Sequence, residues 1–308
     1  MLTLTALLFA ACSMVQPTTA PLGTEQNPLK LALSPSTTPS RALMAGDTLA
    51  RLVEHETGLH IKLSVPASPA AVIEAMNTHN VDVAWLGPLA YLRARERGGV
   101  QPLLANVQAG SHTRTAQIIV RADSGIRRLE DLRGKWFAYV EVASPSGYLF
   151  PRALLVSRGF EPGSFFARTT FAGSHEEVVQ AVYRRQVDGG ATFGPSVAGT
   201  QTDARALVQG MLPDVYEQIR VIAQTAPIPN DTLSVRAGVP QDAILKLQEG
   251  LQRVAASATG AQALRDLDGI EGLTLVTDAE FAPVREVVQV LRLDLDAELT
   301  PGRTSTSP

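Results

Sequence analysis

Short apolar runs alternate with helix-period segments along most of this chain, and few folds tolerate that order. LKLALS at 29–34 is followed by the amphipathic stretch TPSRALMAGDTLARLVEHETG, which Gly58 closes. LHIKLSVP at 59–66 is followed by SPAAVIEAMNTHN, with Ser68 as the expected helix cap and Pro69 at the first helical position. VDVAWLG at 81–87 gives way at Gly87-Pro88 to PLAYLRARERGG. Strand, helix, strand, helix at this spacing predicts parallel α/β layering. In such layers, ligands meet the carboxyl ends of strands and the amino ends of helices.

The order restarts after Gly125. TAQIIVRADSG (115–125) reads as a strand and IRRLEDLRG as a helical turn, and KWFAYVEV (135–142) opens a second series. SPSG, a helix over 147–158, RTTFAG, a helix over 175–186 and the strand VDGGATF complete it. VYEQIRVIAQTAPIPNDTLSVR then carries strand content back, and helices within 240–265 and 279–291 finish the chain. The restart favours two lobes over one continuous sheet. Lobe 1 is assigned to 28–118 plus 225–295 and lobe 2 to 119–224.

With 27 basic against 30 acidic residues and a net charge of -3, the chain has no cationic surplus for a nucleic-acid backbone. Cys12 is the only cysteine, which excludes an internal disulfide framework and cysteine-based metal sites. It ends LTLTALLFAAC, too short to span a bilayer but long enough for the apolar region of an export signal. LFAAC resembles the cleavage-and-lipidation box of bacterial lipoproteins, although Phe9 stands where leucine is usual and no Lys or Arg precedes the run. Residues 1–12 are therefore read as a signal and lipid-attachment segment, against the plainer reading of an apolar N-terminus with an incidental thiol. Residues 13–27 are polar, Pro- and Thr-rich and read as a linker; 296–308 read as a disordered tail.

Four stretches carry candidate chemistry. In SPSG, Ser144 as N-cap puts Pro145 at the first helical position and leaves the backbone N–H groups of Ser146 and Gly147 beside two hydroxyls. That arrangement is an ordinary cap or a seat for an oxyanion, and spacing alone does not decide. His175 opens a helix after FAGS at the same sheet edge, and its imidazole would bind a dianion better when protonated; a solvent-facing histidine is the alternative. Trp85 ends a strand before Gly-Pro as an apolar wall with an N–H, or as core filler. Ser34 lies in the hydroxyl-rich junction ALSPSTTPS. The chain lacks a G-x-S-x-G elbow, a Walker loop, H-E-x-x-H and G-x-G-x-x-G after a strand. Histidines 55, 60, 79, 112 and 175 have no metal-ligand spacing, and neither a cofactor nor a metal is expected.

LKLALSPS, VIEAMNTHNVDVAWLGPLAYL, RADSGIRRLEDLRGKWFAYVEVASPSGYLFPRALLVSRGF, TTFAGSHEEVVQAVYRRQVDGGATF and RVIAQTAPIPND together resemble the phosphonate/phosphite/phosphate-type substrate-binding proteins of ABC importers. The resemblance implies a two-lobe α/β periplasmic-binding-protein fold, type II-like, with two parallel-mixed sheets flanked by helices about a hinge. It implies a non-enzymatic monomer in the periplasm or at the outer face of the cell membrane, which passes a small anion to a permease and its ATPase. Ser144, Ser146 and Gly147 would grip the oxyanion, with His175 from the same lobe and Trp85 and Ser34 from the other. Relatives commonly have threonine at Pro145 and tyrosines at Pro69, Trp85 and Arg114, and Phe193, Gly194 and Pro195 offer no side chain for a ligand amino group. Arg114 thus points to a more anionic or differently shaped ligand. The alternatives are a sensor subunit or structural lipoprotein of the same fold and a serine-dependent hydrolase using SPSG.

Overall fold

The computed structural model describes residues 20–33, 39–142, 144–196 and 202–299. In chain order the strands are β1 (Leu29–Ala32), β2 (Ile61–Ser64), β3 (Val83–Leu86), β4 (Gln101–Val107), β5 (Thr113–Arg114), β6 (Ala116–Arg121), β7 (Trp136–Tyr139), β8 (Arg168–Phe171), β9 (Gly189–Phe193), β10 (Ile219–Gln224), β11 (Ile228–Pro229), β12 (Thr232–Val235) and β13 (Gly272–Leu275). The helices are α1 (Pro39–Thr57), α2 (Pro69–Asn77), α3 (Pro88–Gly98), α4 (Phe150–Ser157), α5 (Pro162–Phe165), α6 (His175–Tyr183), α7 (Val215–Gln218), α8 (Gln241–Ala256), α9 (Ala258–Asp268), α10 (Ala282–Leu291) and α11 (Leu295–Glu298).

Two mixed sheets result, not one continuous sheet. The first runs β13-β4-β12-β3-β1-β2 and the second β10-β6-β9-β7-β8. β1 is parallel to β2 and β3, whereas β12, from late in the chain, lies antiparallel between β3 and β4. In the second sheet β7 is parallel to β8 and β9, and β6 lies antiparallel between β9 and β10. Apolar residues of α1, α8 and α9, among them Leu49, Val53, Leu247 and Leu264, cover one face of the first sheet. Val72, Met76, Tyr91 and Phe281 cover the other. The second sheet is clad by Val178, Val179 and Val182 of α6 on one side and by a Phe137–Tyr139–Phe165–Phe166 group on the other.

Two chain crossings join the sheets, and they are zipped to one another. β5 and β11 form an antiparallel ribbon in which Arg114 faces Ile228 and Thr113 faces Pro229. Just beyond it, the Thr225 N–H donates to the Ala116 carbonyl and the Ala116 N–H donates to Thr225 Oγ1, both at 2.9 Å. A third contact is apolar: Phe150 and Ala153 of α4 pack into the cluster that holds Val284 and Val287 of α10.

Several boundaries differ from the sequence expectation, each for a visible reason. β6 joins the second sheet already at Ala116, ahead of the division set at 118/119, because Ala116–Ile118 pair with Phe193–Ala191. Residues 296–299, expected as part of a tail, are ordered by α11, whose Asp296 is held by Arg93 Nε at 2.8 Å and Arg97 Nη2 at 3.0 Å; 300–308 lie outside the described residues. Residues 20–27, expected as tether, dock on the first sheet through His60 N–H to Gly23 O at 2.8 Å. Gly23 turns there with φ +86, and a Cβ would lie 2.5 Å from Leu59. Ser257 divides the helix expected within 240–265, ending α8 and capping α9 through Gly260 N–H at 3.0 Å. Cys12 and Ser34 lie outside the described residues.

A buried ion pair clamps the middle of the first sheet. Asp82 is 1% exposed and accepts the Lys30 N–H of β1 at 2.9 Å and Arg236 Nε and Nη2 at 2.9 and 2.6 Å, from just past β12. Asp82→Ala strands a buried guanidinium and should lower unfolding stability by about 3–5 kcal/mol. Urea denaturation reads this directly; a loss below about 1 kcal/mol would mean the pair behaves like a solvated surface contact.

Candidate functional site: a serine-rich helix start facing a hinge arginine

At the carboxyl end of β7 the chain turns at Val140 and enters a widened helical turn over Pro145–Leu149 before α4. The Ser144 carbonyl accepts from both Tyr148 N–H at 3.1 Å and Leu149 N–H at 3.0 Å, so the first turn is π-like. Gly147 makes the turn possible, because a Cβ there would lie 2.4 Å from Val140 Cγ2 and 2.5 Å from Val140 Cβ. The Gly147 carbonyl, in turn, accepts the Val140 N–H at 3.2 Å.

This geometry redistributes the donors expected from the sequence. Gly147 N–H is not free; it donates to Ser144 Oγ at 3.0 Å as the cap bond. Pro145 has no N–H to give. Ser146 keeps both its N–H and its hydroxyl without a protein partner among the described residues, although it is only 7% exposed. The Ser144 hydroxyl accepts from Gly147 and retains its own hydrogen for donation. Two serines and the positive end of the turn-plus-α4 helix thus converge on one buried spot.

His175 stands on the same sheet edge, as the first residue of α6, with Ser174 as the cap accepting Glu177 N–H at 3.1 Å. Its Nδ1 accepts the Phe193 N–H at 3.2 Å, which places the proton of the neutral ring on Nε2 as an outward donor. Burial, with Arg114 nearby, pushes its pKa down from 6.5 to about 4. The imidazole is therefore held neutral, so the tighter grip on a dianion that protonation would give is not available near neutral pH.

Arg114 approaches from the ribbon. The next residue, Thr115, accepts the Gly194 N–H at 2.7 Å, one residue past the bond from Phe193 to His175, so ribbon and histidine meet at the end of β9. Arg114 Nε donates to Asn230 Oδ1 at 3.1 Å and Nη2 donates to Gln108 Oε1. Asn230 Nδ2 reaches the Asn106 carbonyl at 3.0 Å, and Asn106 Oδ1 accepts Trp85 Nε1 at 2.9 Å. Trp85, 3% exposed and packed in the first-sheet core, has thus given its N–H to Asn106. Its place is behind the wall, where it orders the asparagines that hold Arg114.

Asp231 completes the constellation, and nothing in PIPND as a sequence singles it out. It precedes β12, and its carboxylate lies against Gly87, 3.5 Å from where a Cβ would stand, at the amino end of α3. No hydrogen bond to this carboxylate occurs among the described residues. Burial, reinforced by Asp268 and opposed by Arg114, raises its pKa from 3.8 to about 6.

The chain's relatives fit this geometry. A family model described as ABC transporter, phosphonate, periplasmic substrate-binding protein matches residues 31–281. The chain belongs to this family. It is 31% identical over 307 residues to the phosphate-import protein PhnD of Mycolicibacterium smegmatis, covering 92% of each chain. To the phosphonates-binding periplasmic protein of Escherichia coli it is 27% identical over 243 residues, 77% of this chain and 69% of that one. In fold it is similar to a binding protein component of an ABC phosphonate transporter from Pseudomonas aeruginosa, with a TM-score of 0.59 and 24% identity, covering 90% of this chain and 91% of that one. The fold is thus the two-lobe periplasmic-binding-protein fold, and the family is a substrate-binding component of importers.

The two shifted groups pull stability in opposite directions with pH. Asp231, raised, contributes stability that is full below about 4 and is lost as pH rises through about 6. His175, lowered, contributes stability that is full above about 6.5 and is lost as pH falls toward about 4. Asp231→Asn should therefore stabilise the ligand-free protein at pH 8, by on the order of 2 kcal/mol, and the gain should vanish at pH 4. Urea melts of both proteins at the two pH values check the sign.

Proposed function

We propose that this protein is the receptor of an ABC importer for a small phosphorus oxyanion, bound between the lobes and delivered to a permease and its ATPase. One observation carries the reading: among the described residues Ser146 presents an N–H and a hydroxyl with no protein partner at a buried helix start, on the same sheet edge as His175, whose Nδ1 is engaged and whose Nε2–H is left to donate. A buried donor pair without an acceptor is costly unless a ligand or water completes it. The names of the two curated relatives, one for phosphate and one for phosphonates, support the ligand class.

In this reading Ser144, Ser146 and His175 donate to the oxyanion from lobe 2. Gly147 acts by shape, since its missing side chain lets the helix start close on Val140. Arg114 and Asp231 border the anion from lobe 1, Asp231 as acceptor for an acidic hydrogen of the ligand. Closure about the β5–β11 ribbon excludes water and strengthens each charged hydrogen bond. In this reading the protein binds its ligand without turning it over, which the family's role as a substrate-binding transport component supports. The same reading places the protein in the periplasm as a monomer, anchored through lipid on Cys12, with lobe 1 formed from both ends of the described chain; the small Ala10 and Ala11 before Cys12 support the anchor.

Ser146→Ala removes a charge-assisted bond worth about 1.5–3 kcal/mol, so affinity for phosphate, phosphite or methylphosphonate should fall roughly 10- to 150-fold. Titration calorimetry measures it. Absence of heat with all three ligands in the unaltered protein would overturn the assignment of ligand class.

A further inference from the structure

Several part-buried arginines elsewhere in the described chain grip carboxylates, although Arg152 instead donates to the Tyr148 hydroxyl. Arg121 pairs with Asp123 at 2.9 Å, Arg205 with Asp203 at 2.7 Å and Arg236 with Asp82 at 2.6 Å. Arg114 differs. Its two hydrogen-bond partners are the neutral amides of Asn230 and Gln108, and it makes no ion pair among the described residues. Amides fix the plane of a guanidinium but leave its charge uncompensated. Nη1, with both its hydrogens, has no partner among the described residues.

The amides are themselves held in place. Asn230 is 4% exposed and is tied by Nδ2 to the carbonyls of Asn106 and Ser111, both at 3.0 Å. Gln108 Nε2 donates to the Asp268 carbonyl at 2.8 Å. The guanidinium is therefore set in a rigid frame with one edge open, where the ribbon meets the end of β9 and His175. Asp231 and Asp268 act on it only from beyond ion-pair contact, and burial makes the charged form costly at both. A desolvated, unpaired cation in a fixed frame is expensive in the empty protein and favourable once an anion meets it.

We infer that Arg114 is the charge-selecting residue of the cleft, and that the captured ligand is a phosphorus oxyanion whose negative charge is not offset by an ammonium group of its own. The inference rests on the receptor reading above and specifies its substrate class. The serine seat and the neutral histidine recognise the oxyanion group whatever it carries. Arg114 reads the net charge, because the Coulomb term from a partly desolvated guanidinium acts on the whole small ligand.

Three ligands of similar length form a charge ladder at about pH 9, where each phosphonate is a dianion and the ammonium is retained: 2-aminoethylphosphonate, ethylphosphonate and phosphonoacetate. Calorimetry with the full chain should show affinity rising at each added negative charge, by roughly tenfold per step for unit charges a few ångström apart at intermediate dielectric. Arg114→Gln should flatten the ladder, whereas Arg114→Lys, which keeps the charge, should preserve its order. Thermal melts of both variants establish that they are folded, and the lysine variant carries the comparison if the glutamine variant is not. Equal or tighter binding of aminoethylphosphonate than ethylphosphonate by the unaltered protein would overturn the inference while leaving the receptor reading intact. So would a ladder that survives Arg114→Gln. If the unaltered protein binds none of the three, nor inorganic phosphate, the receptor reading falls and this inference with it.

Discussion

The close approach of Gly147 to Val140 governs the binding end of the second sheet. Any side chain at 147 would occupy the space of Val140 Cγ2, and without that contact the chain could not turn so sharply from β7 into α4. The sharp turn makes Ser144 rather than a later residue the cap, and it draws Gly147 N–H onto Ser144 Oγ. Ser146 is then left between a proline with no N–H and a glycine whose N–H is engaged. The unengaged N–H of buried Ser146 is thus a product of packing beneath it. An anion seat built on backbone needs no cationic surplus, in accord with a chain whose net charge is -3.

The opposite wall follows a different principle. Lobe 1 contributes charge, held by neutral groups: Trp85 orders Asn106, Asn106 orders Asn230, and Asn230 orients Arg114. This chain of hydrogen bonds runs from the core of the first sheet to the ribbon that connects the lobes. The ribbon is also where the two crossings are zipped, so the guanidinium sits at the junction of the two sheets. His175 adds a further element: neutral in the empty site, it gains a reason to hold a proton only when an anion arrives, since burial and Arg114 otherwise hold its pKa down.

Much of this architecture is legible in the order of residues. Strand-helix alternation and its restart after Gly125 give two mixed sheets, and Ser68-Pro69 and Ser144-Pro145 announce their helices because cap chemistry is local. β4 and β13 are harder to see: QPLLANV has a proline at its second position and carries a continuous buried run, and GLTL is four residues opened by glycine. Long-range effects are invisible for a plainer reason. The commitment of Gly147 N–H depends on Val140, the neutrality of His175 on its burial and on an arginine 61 positions upstream, and the place of Asp231 on the register of β12 against β3. Trp85 shows the same limit, since only the fold reveals that its N–H belongs to Asn106.

The central claim is that the buried donors of Ser146, and not a side-chain cation alone, hold the ligand. A crystal structure of the protein grown with methylphosphonate tests it most directly. The account predicts one phosphonate oxygen within hydrogen-bond distance of both Ser146 N–H and Ser146 Oγ, a second on His175 Nε2, and Arg114 Nη1 facing the same anion from the other lobe. A phosphonate bound elsewhere, or held by Arg114 while Ser146 stays without a partner, would contradict it.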